Sequence, residues 1–226
     1  MAILRAEGLI KRFPNGFRLN IDLQFYRGRA YGLLGANGAG KTTSLLLLSL
    51  LDIPEDGKLY FRKNRVTSGN RGFFRRKMVM SMEEPYFFRG SVWSNMAYGL
   101  KLRGIGLIER RRIIETALRR LKLERLATED VRCLSQGQRR RLDIARALSI
   151  MPEVIFLDEP FAHIDEESKK IIREIIKETT ERKATTIIFA THNVDIALII
   201  ADGIIYLEQG RIIENAQGNR RIKYSL

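Results

Sequence analysis

The segment from Gly35 to Thr42 has the residue types and spacing of a phosphate-binding loop. It reads GANGAGKT, matches G-x-x-x-x-G-K-[ST], and lies between a strand-like and a helix-like segment. Glycines let successive backbone N–H groups turn toward a phosphate, the lysine reaches the β and γ oxygens, and the following hydroxyl binds Mg²⁺. We therefore expect a nucleoside triphosphate and Mg²⁺ as ligands. The predicted nucleotide-binding residues here are Gly35, Asn37, Gly38, Ala39, Gly40, Lys41, Thr42 and Thr43.

Two carboxylates follow a continuous apolar run in VIFLDEP. Such a run is typical of a parallel strand covered on both faces, and open α/β sheets bind ligands at the carboxyl ends of their strands. We expect Asp158 to hold Mg²⁺ through water, and Glu159 to orient or deprotonate the water that attacks the γ-phosphate. His192 follows a second such run, TTIIFAT, and is a further catalytic candidate at the same sheet edge.

The composition is that of a globular protein with an excess of positive charge. The chain has 226 residues, of which 45% are hydrophobic, and its 40 Lys and Arg against 26 Asp and Glu give a net charge of +14. This excess favours an anionic partner such as a nucleotide, a nucleic acid or a lipid surface. A single cysteine, Cys133, and the absence of a signal pattern favour the cytoplasm. The apolar runs are too short or interrupted for the about 20 residues of a membrane helix.

The apolar patterns predict an α/β fold with an inserted helical region. GIIYLEQGRIIENA predicts a hairpin that turns at Gln209 and Gly210, followed by a basic tail, NRRIKYSL. Ile114 and Leu118 fall at helical spacing, and we interpret most arginines of RGFFRRK, ERRRIIETALRR and QRRRLDIARA as solvated helix faces. Anionic lipid and nucleic acid are the alternative partners for these arginines. We expect one domain over 1–226, with an α/β core of 1–74 and 149–226 and a helical subdomain of 75–148.

Four segments resemble the ATPase subunit of ABC transporters. They are GANGAGKTT, LSQGQRRRLDIARAL, VIFLDEPFAHID and FATH, and with their order and spacing the resemblance covers nearly the whole chain. It implies a P-loop NTPase of ABC ATPase type, with a RecA-like core, an antiparallel β subdomain and a helical subdomain. LSQGQ is similar to that family's LSGGQ signature, with Gln136 in place of a glycine.

The resemblance implies that the signature acts on a second subunit. In this family it begins a helix that points at the γ-phosphate of ATP on the other subunit, so two identical or paralogous chains would enclose two ATPs. The implied signature residues are Ser135, Gln136, Gly137 and Gln138. Asp165 would lie in the loop that links the two sites across the dimer. Phe13 lies where the family places an aromatic on adenine, and a buried core phenylalanine is the alternative.

Glu83, in MVMSMEEPYFF, aligns with the Q-loop glutamine of that family. The glutamine helps to bind Mg²⁺ and touches the membrane partner, whereas an ionised glutamate only accepts hydrogen bonds and adds a negative charge. We expect Mg²⁺ ligation by Thr42, Asp158 and Glu83, with an altered Mg²⁺ dependence. The alternative for Glu83 is a solvent-exposed loop acid.

The resemblance implies an ATPase that powers solute transport through a separate membrane permease. It would be a peripheral subunit at the cytoplasmic face of the membrane, with a solute-binding protein as an indirect partner. The segment SVWSNMAYGLKLRG resembles that of importers of oxyanions such as tungstate or molybdate. Similar sequences occur in other import ATPases, so this segment leaves the solute open.

Two other function classes compete with transport. The first is a nucleic-acid-associated ABC ATPase of repair or translation. The chain lacks the long heptad arms, duplicated cassette and zinc-type cysteine cluster of such proteins, so we do not expect a nucleic-acid partner. The second class is a P-loop kinase, which would explain the phosphate loop but not the LSQGQ segment.

Overall fold

The computed structural model describes residues 1–182 and 185–217, which form ten strands and seven α-helices. The strands are β1 (Ala2–Arg12), β2 (Arg18–Tyr26), β3 (Ala30–Leu34), β4 (Asp56–Phe61), β5 (Asn64–Arg65), β6 (Met78–Ser81), β7 (Val154–Asp158), β8 (Thr186–Thr191), β9 (Gly203–Glu208) and β10 (Arg211–Gln217). The helices are α1 (Lys41–Leu48), α2 (Arg71–Arg75), α3 (Val92–Leu102), α4 (Leu107–Arg120), α5 (Gln136–Ser149), α6 (Glu166–Glu181) and α7 (Val194–Ile200). The predicted α/β class is confirmed.

All ten strands belong to one mixed sheet, in the order β5-β4-β1-β2-β10-β9-β3-β8-β7-β6. The strands from β9 to β6 in this order are parallel, whereas β5, β4, β1 and β2 pair antiparallel. A single pair, Arg211 with Asn20, joins β10 to β2. The antiparallel part is therefore continuous with the parallel core.

Side chains alternate between two hydrophobic clusters on opposite faces of the parallel strands. Leu33 and Phe156 belong to the cluster that also contains α1 and the antiparallel strands, whereas Leu34 and Leu157 pack with the helices α3 to α7. Burying each such side chain contributes roughly 1.5–3 kcal/mol. The polar residues that follow β3, β7 and β8 are thus positioned by strands buried on both faces.

The helical region matches its sequence pattern except at its start. Ile114 and Leu118 of α4 are 0% and 1% exposed, as their spacing predicts. The segment after residue 75, however, includes β6, which pairs parallel with β7 and extends the core sheet. The run MVMS has only four residues, so it gives little local strand signal, and its partner lies far away in sequence. We therefore propose that the helical subdomain begins after Ser81.

The last two strands form the predicted hairpin. β9 and β10 pair antiparallel, and Gln209 and Gly210 turn between them with φ of 45° and 78°. The basic tail NRRIKYSL lies outside the described residues. None of the helices in the described part of the chain has the length and apolar character needed to cross a membrane.

Candidate functional site

The connection between β3 and α1 folds as a phosphate-binding loop. Gly38 and Gly40 have φ of 80° and 102°, a backbone region that favours glycine. Lys41 is 7% exposed, and its Nζ donates to the carbonyl oxygens of Gly35 at 2.8 Å and Ala36 at 3.2 Å. The loop thus holds its ammonium group at the N-terminus of α1, where free backbone N–H groups favour an anion.

Thr42 and Asp158 join the first turn of α1 to the end of β7. The Thr42 hydroxyl donates to Asp158 Oδ2 at 2.8 Å. Burial raises the pKa of the Asp158 carboxyl; the Thr42 hydrogen bond opposes this, while the charges of Glu159 and Glu83 raise it further. A bound cation would relieve this repulsion between carboxylates.

The oxygen donors at this edge fit Mg²⁺, which takes oxygen ligands and usually shares them with water and phosphate. Thr42, Asp158 and Glu83 would hold the ion, which when bound neutralises charge on phosphate oxygens. Within residues 1–182 and 185–217, no group of three or more His, Cys, Asp or Glu side chains could hold a metal ion. Nucleotide oxygens and water would complete the coordination shell.

Glu159 lies between a lysine and a histidine. It follows β7 with φ of 42°, its side chain is 10% exposed, and its N–H donates to the Ala190 carbonyl of β8 at 3.0 Å. Its Oε1 is 3.1 Å from Nδ1 of His192 and 3.8 Å from Nζ of Lys41. The His192 side chain remains 61% exposed. The sheet thus brings these three predicted residues together, in an arrangement that suits a general base.

Lys41 and Glu159 border a cleft of about 330 Å³, whereas His192 is not among its lining residues. Phe13, Asn15 and Phe17 line it together with the phosphate loop, Glu83, Asp158 and Glu159. Phe13 is half-buried with its ring centroid 5.8 Å from that of Phe17, so it is not a core residue. The sequence did not single out Asn15 and Phe17 for the site, although Asn15 lies in the PNG turn beside Phe13 and Phe17 follows that turn.

Ser135 is the N-cap of α5. Its Oγ accepts from the Gln138 N–H at 3.2 Å, and Gln138 Oε1 accepts from the Ser135 N–H at 2.9 Å, which forms a capping box. Ser135 and Gln136 are exposed, and the described residues that line the cleft include neither of them. The signature is therefore presented outside the cleft of its own phosphate loop.

Gly137 lies where the N-termini of α5 and α6 meet. Asp165 is the N-cap of α6 and accepts from the Ser168 N–H at 2.8 Å and the Ser168 hydroxyl at 2.9 Å. These hydrogen bonds, from the backbone N–H first, lower the pKa of the Asp165 carboxyl. A methyl group at position 137 would overlap Asp165 Oδ2 and Ser168 Oγ. The close approach therefore requires glycine.

Glu83 is exposed in the loop after β6, yet it lines the nucleotide cleft. Arg140 of α5 donates to the carbonyl oxygens of Met82, at 2.7 Å, and of Glu83. Arg140 and Arg141 are only 4% and 7% exposed, so both are exceptions to the interpretation that most of these arginines lie on solvated helix faces. Their position beside buried Ile144 on the helix was the signal that could have revealed this.

A family model described as "ABC transporter" matches residues 19–162, which include the phosphate loop, the signature and Asp158 and Glu159. The chain belongs to the ABC transporter family. It is an ATP-binding protein of this family and an ATPase. The fold class predicted from the sequence is thereby confirmed.

Relatives of this ABC ATPase include proteins named for uptake and import. The tungstate uptake system ATP-binding protein TupC of Peptoclostridium acidaminophilum is 34% identical, over 93% of this chain and 97% of that protein. The Fe(3+) ions import ATP-binding protein FbpC 1 of Haemophilus influenzae is 33% identical over 87% of this chain, which spans 60% of that protein's length.

A solved structure shares the fold of this ABC ATPase. It is CbiO1 from Clostridium perfringens, described as part of the ABC transporter complex cbiONQ. The two chains superpose with a TM-score of 0.85 at 28% identity, over 96% of this chain and 88% of CbiO1.

Proposed function

We propose that this ABC ATPase is the motor of an importer, in which two copies enclose two ATPs and drive a solute through a separate membrane permease. The division of the site supports this proposal. Lys41 and Glu159 share one cleft, whereas Ser135 is exposed at a helix N-terminus outside it. The signature of one chain, Ser135–Gln138, would complete the γ-phosphate site of the other chain.

Hydrolysis would use the residues that meet at the ends of β7 and β8. Lys41 would exchange its loop carbonyls for the β- and γ-phosphate oxygens, and Asp158, Thr42 and Glu83 would hold Mg²⁺. Glu159 would accept a proton from the attacking water as its oxygen bonds to the γ-phosphorus and the bond to ADP breaks. His192, hydrogen-bonded to Glu159, would orient that carboxylate and contact the γ-phosphate.

The membrane permease would dock beside the Glu83 loop. A groove of about 440 Å³ lies there, bordered by apolar side chains that are 42–75% exposed. These side chains are Tyr86, Phe88, Tyr98 and Leu102. Exposed apolar surface of this kind is typical of a protein–protein contact. Docking there would hold the ATPase at the cytoplasmic face of the membrane, with any solute-binding protein acting through the permease.

We propose an oxyanion as the solute, because the TupC relative is named for tungstate uptake and matches this chain nearly end to end. Uptake by the reconstituted transporter tests this when tungstate, molybdate and Fe³⁺ are compared. Uptake of Fe³⁺ but of neither oxyanion would contradict it. The relatives named for uptake and import do not favour the nucleic-acid alternative.

The proposed ATP-driven dimer is tested by measuring the solution mass of Glu159→Gln by light scattering, with and without Mg-ATP. The amide removes the base but keeps the shape of the side chain, so ATP should be trapped and monomers should become dimers. Adding Ser135→Arg should abolish the dimer. Ser91 caps α3 as Ser135 caps α5, so Ser91→Arg is the matched control and should leave the dimer intact.

Two outcomes would contradict the proposed dimer. One is a Glu159→Gln protein that binds ATP and stays monomeric. The other is a dimer that survives Ser135→Arg, since the signature would then complete no second site.

A further inference from the structure

The buried guanidinium of Arg140, on α5, donates hydrogen bonds to the loop that carries Glu83. Arg140 Nη1 donates to the Met82 carbonyl at 2.7 Å and lies 3.4 Å from Ser81 Oγ, and Nη2 donates to the Glu83 carbonyl. β6 ends at Ser81, so the next carbonyls no longer pair with β7 and need other donors. The forked guanidinium satisfies both carbonyls at once.

Two further α5 side chains, Asp143 and Arg146, contact the end of β6 and the same loop. Asp143 accepts from the Ser81 hydroxyl and, at 3.0 Å, from Arg146 Nη2. Arg146 Nη1 also donates to the Tyr86 carbonyl at 3.0 Å. Asp143 and Arg146 follow Arg140 at intervals of three, so the three side chains lie along one side of the helix. The α5 helix is therefore attached to the end of β6 and, through Arg146, to the loop at Tyr86.

Arg140 also lies near the acidic side of the nucleotide cleft, where it lines a neighbouring groove together with Glu83. The carboxylates of Glu83, Asp158 and Glu159 all interact electrostatically with its guanidinium. Lys41 is the buried cation within the phosphate loop, and Arg140 is a second buried cation, on α5. Moving the Glu83 loop away from α5 would remove the loop carbonyls that accept from Arg140 and leave only Asp143 of its own helix beside the buried charge, which is unfavourable.

We propose that Arg140 is a positioning residue that makes the Glu83 loop and the signature helix move as one body. This inference rests on the proposed two-ATP dimer. In that dimer Glu83 lies at a chain's own ATP, whereas Ser135, at the start of the helix that carries Arg140, reaches the other ATP. Arg140 would thus couple the two nucleotide sites through one rigid element.

Hydrogen exchange without nucleotide tests the attachment. In Arg140→Gln, the amides of residues 82–84 and 86–88 should exchange about fivefold faster or more, because the carbonyl contacts are lost. Arg141→Gln is the matched control, since Arg141 is similarly buried but donates to the Leu121 carbonyl at 3.0 Å. It should accelerate exchange at the end of α4 and leave the loop unchanged. Loop exchange in Arg140→Gln equal to that of the wild type would overturn the proposal.

ATP-driven dimerisation of Glu159→Gln tests the coupling. Adding Arg140→Gln should raise the ATP concentration for half-maximal dimer by about tenfold, a change of about 1.4 kcal/mol. ATP binding to the monomer, measured with Ser135→Arg present, should change by less than about twofold. Arg140→Lys keeps the charge but not the fork, so it should shift the dimer midpoint in the same direction by less.

The outcomes separate this inference from the proposed function. A dimer midpoint unaffected by Arg140→Gln would overturn the coupling alone. Equal weakening of monomer binding and dimerisation would also overturn it, because Arg140 would then act only on its own cleft. If Glu159→Gln itself does not dimerise with ATP, that result would contradict the proposed dimer and also the coupling that rests on it.

Discussion

The backbone of Gly137, in the first turn of α5, lies against the carboxylate of Asp165, which caps α6. The approach is so close that a methyl group at position 137 would overlap both Asp165 Oδ2 and Ser168 Oγ. The family resemblance places the signature and Asp165 at one dimer interface. Their contact within a single chain means that a shift of one helix N-terminus must displace the other.

Gly137→Ala should therefore destabilise the protein and impair ATP hydrolysis. Overpacking at a buried contact costs about 1–3 kcal/mol, and urea unfolding would measure this loss. Gly72→Ala is the matched control, because a methyl group there meets nothing within 4 Å. Its unfolding free energy should stay within about 0.5 kcal/mol of wild type. A Gly137→Ala protein as stable and active as wild type would contradict the proposed contact.

The strands and the phosphate loop were predictable because their signals are local. VIFLDEP and TTIIFAT are continuous apolar runs that end in polar residues, and GANGAGKT encodes its own turn chemistry. β6 gave no such signal, since its four residues become a strand only by pairing with β7. Local periodicity does not predict tertiary contacts of this kind.

The burial of Arg140 beside the site could not be predicted from the sequence for the same reason. In the sequence it is one of three consecutive arginines, and charged residues are normally exposed. Its burial depends on the loop after β6, whose carbonyls supply its hydrogen-bond partners. The juxtaposition of Glu83 with Asp158, in contrast, followed from the family resemblance and agrees with the lining of the cleft.

His192→Ala should reduce ATP turnover about 10²-fold while leaving ATP affinity within about twofold, because the imidazole positions the proposed base and binds little of the nucleotide. Its Nδ1 is 3.1 Å from Glu159 Oε1. His163→Asn is the control: His163 is exposed with φ of 56°, a region that asparagine tolerates. Steady-state ATPase assays and nucleotide titrations check both variants. Unchanged turnover in His192→Ala would contradict the catalytic role of His192.

Glu83→Gln should raise the Mg²⁺ concentration for half-maximal turnover about two- to fivefold, since it removes one of three carboxylate charges at the cleft. Glu84→Gln is the control, because Glu84 is the next residue but does not line that cleft. Mg²⁺ titrations of ATPase activity at saturating ATP give the comparison. Superimposable curves for Glu83→Gln and wild type would mean that Glu83 is only a loop acid.

Glu153 links the turn after β4 to the start of β6. It accepts from Arg62 Nη2 at 2.6 Å and from Lys77 Nζ at 3.1 Å. Burial alone would raise the pKa of its carboxyl, but these two hydrogen bonds and the charges of their donors lower it. A depressed folded-state pKa stabilises the fold above the unfolded value of about 4.3, and this stabilisation is lost as the pH falls through the folded value.

Glu153→Gln should therefore lower the unfolding free energy by about 1 kcal/mol at pH 7, and the difference should shrink as the pH falls below about 4. Urea unfolding at a series of pH values measures this dependence. Glu174→Gln, on the exposed side of α6, should match wild type across the series. A Glu153→Gln deficit that is undiminished at the lowest pH would show that the ion pairs do not cause it, because a protonated carboxyl has no charge left to pair.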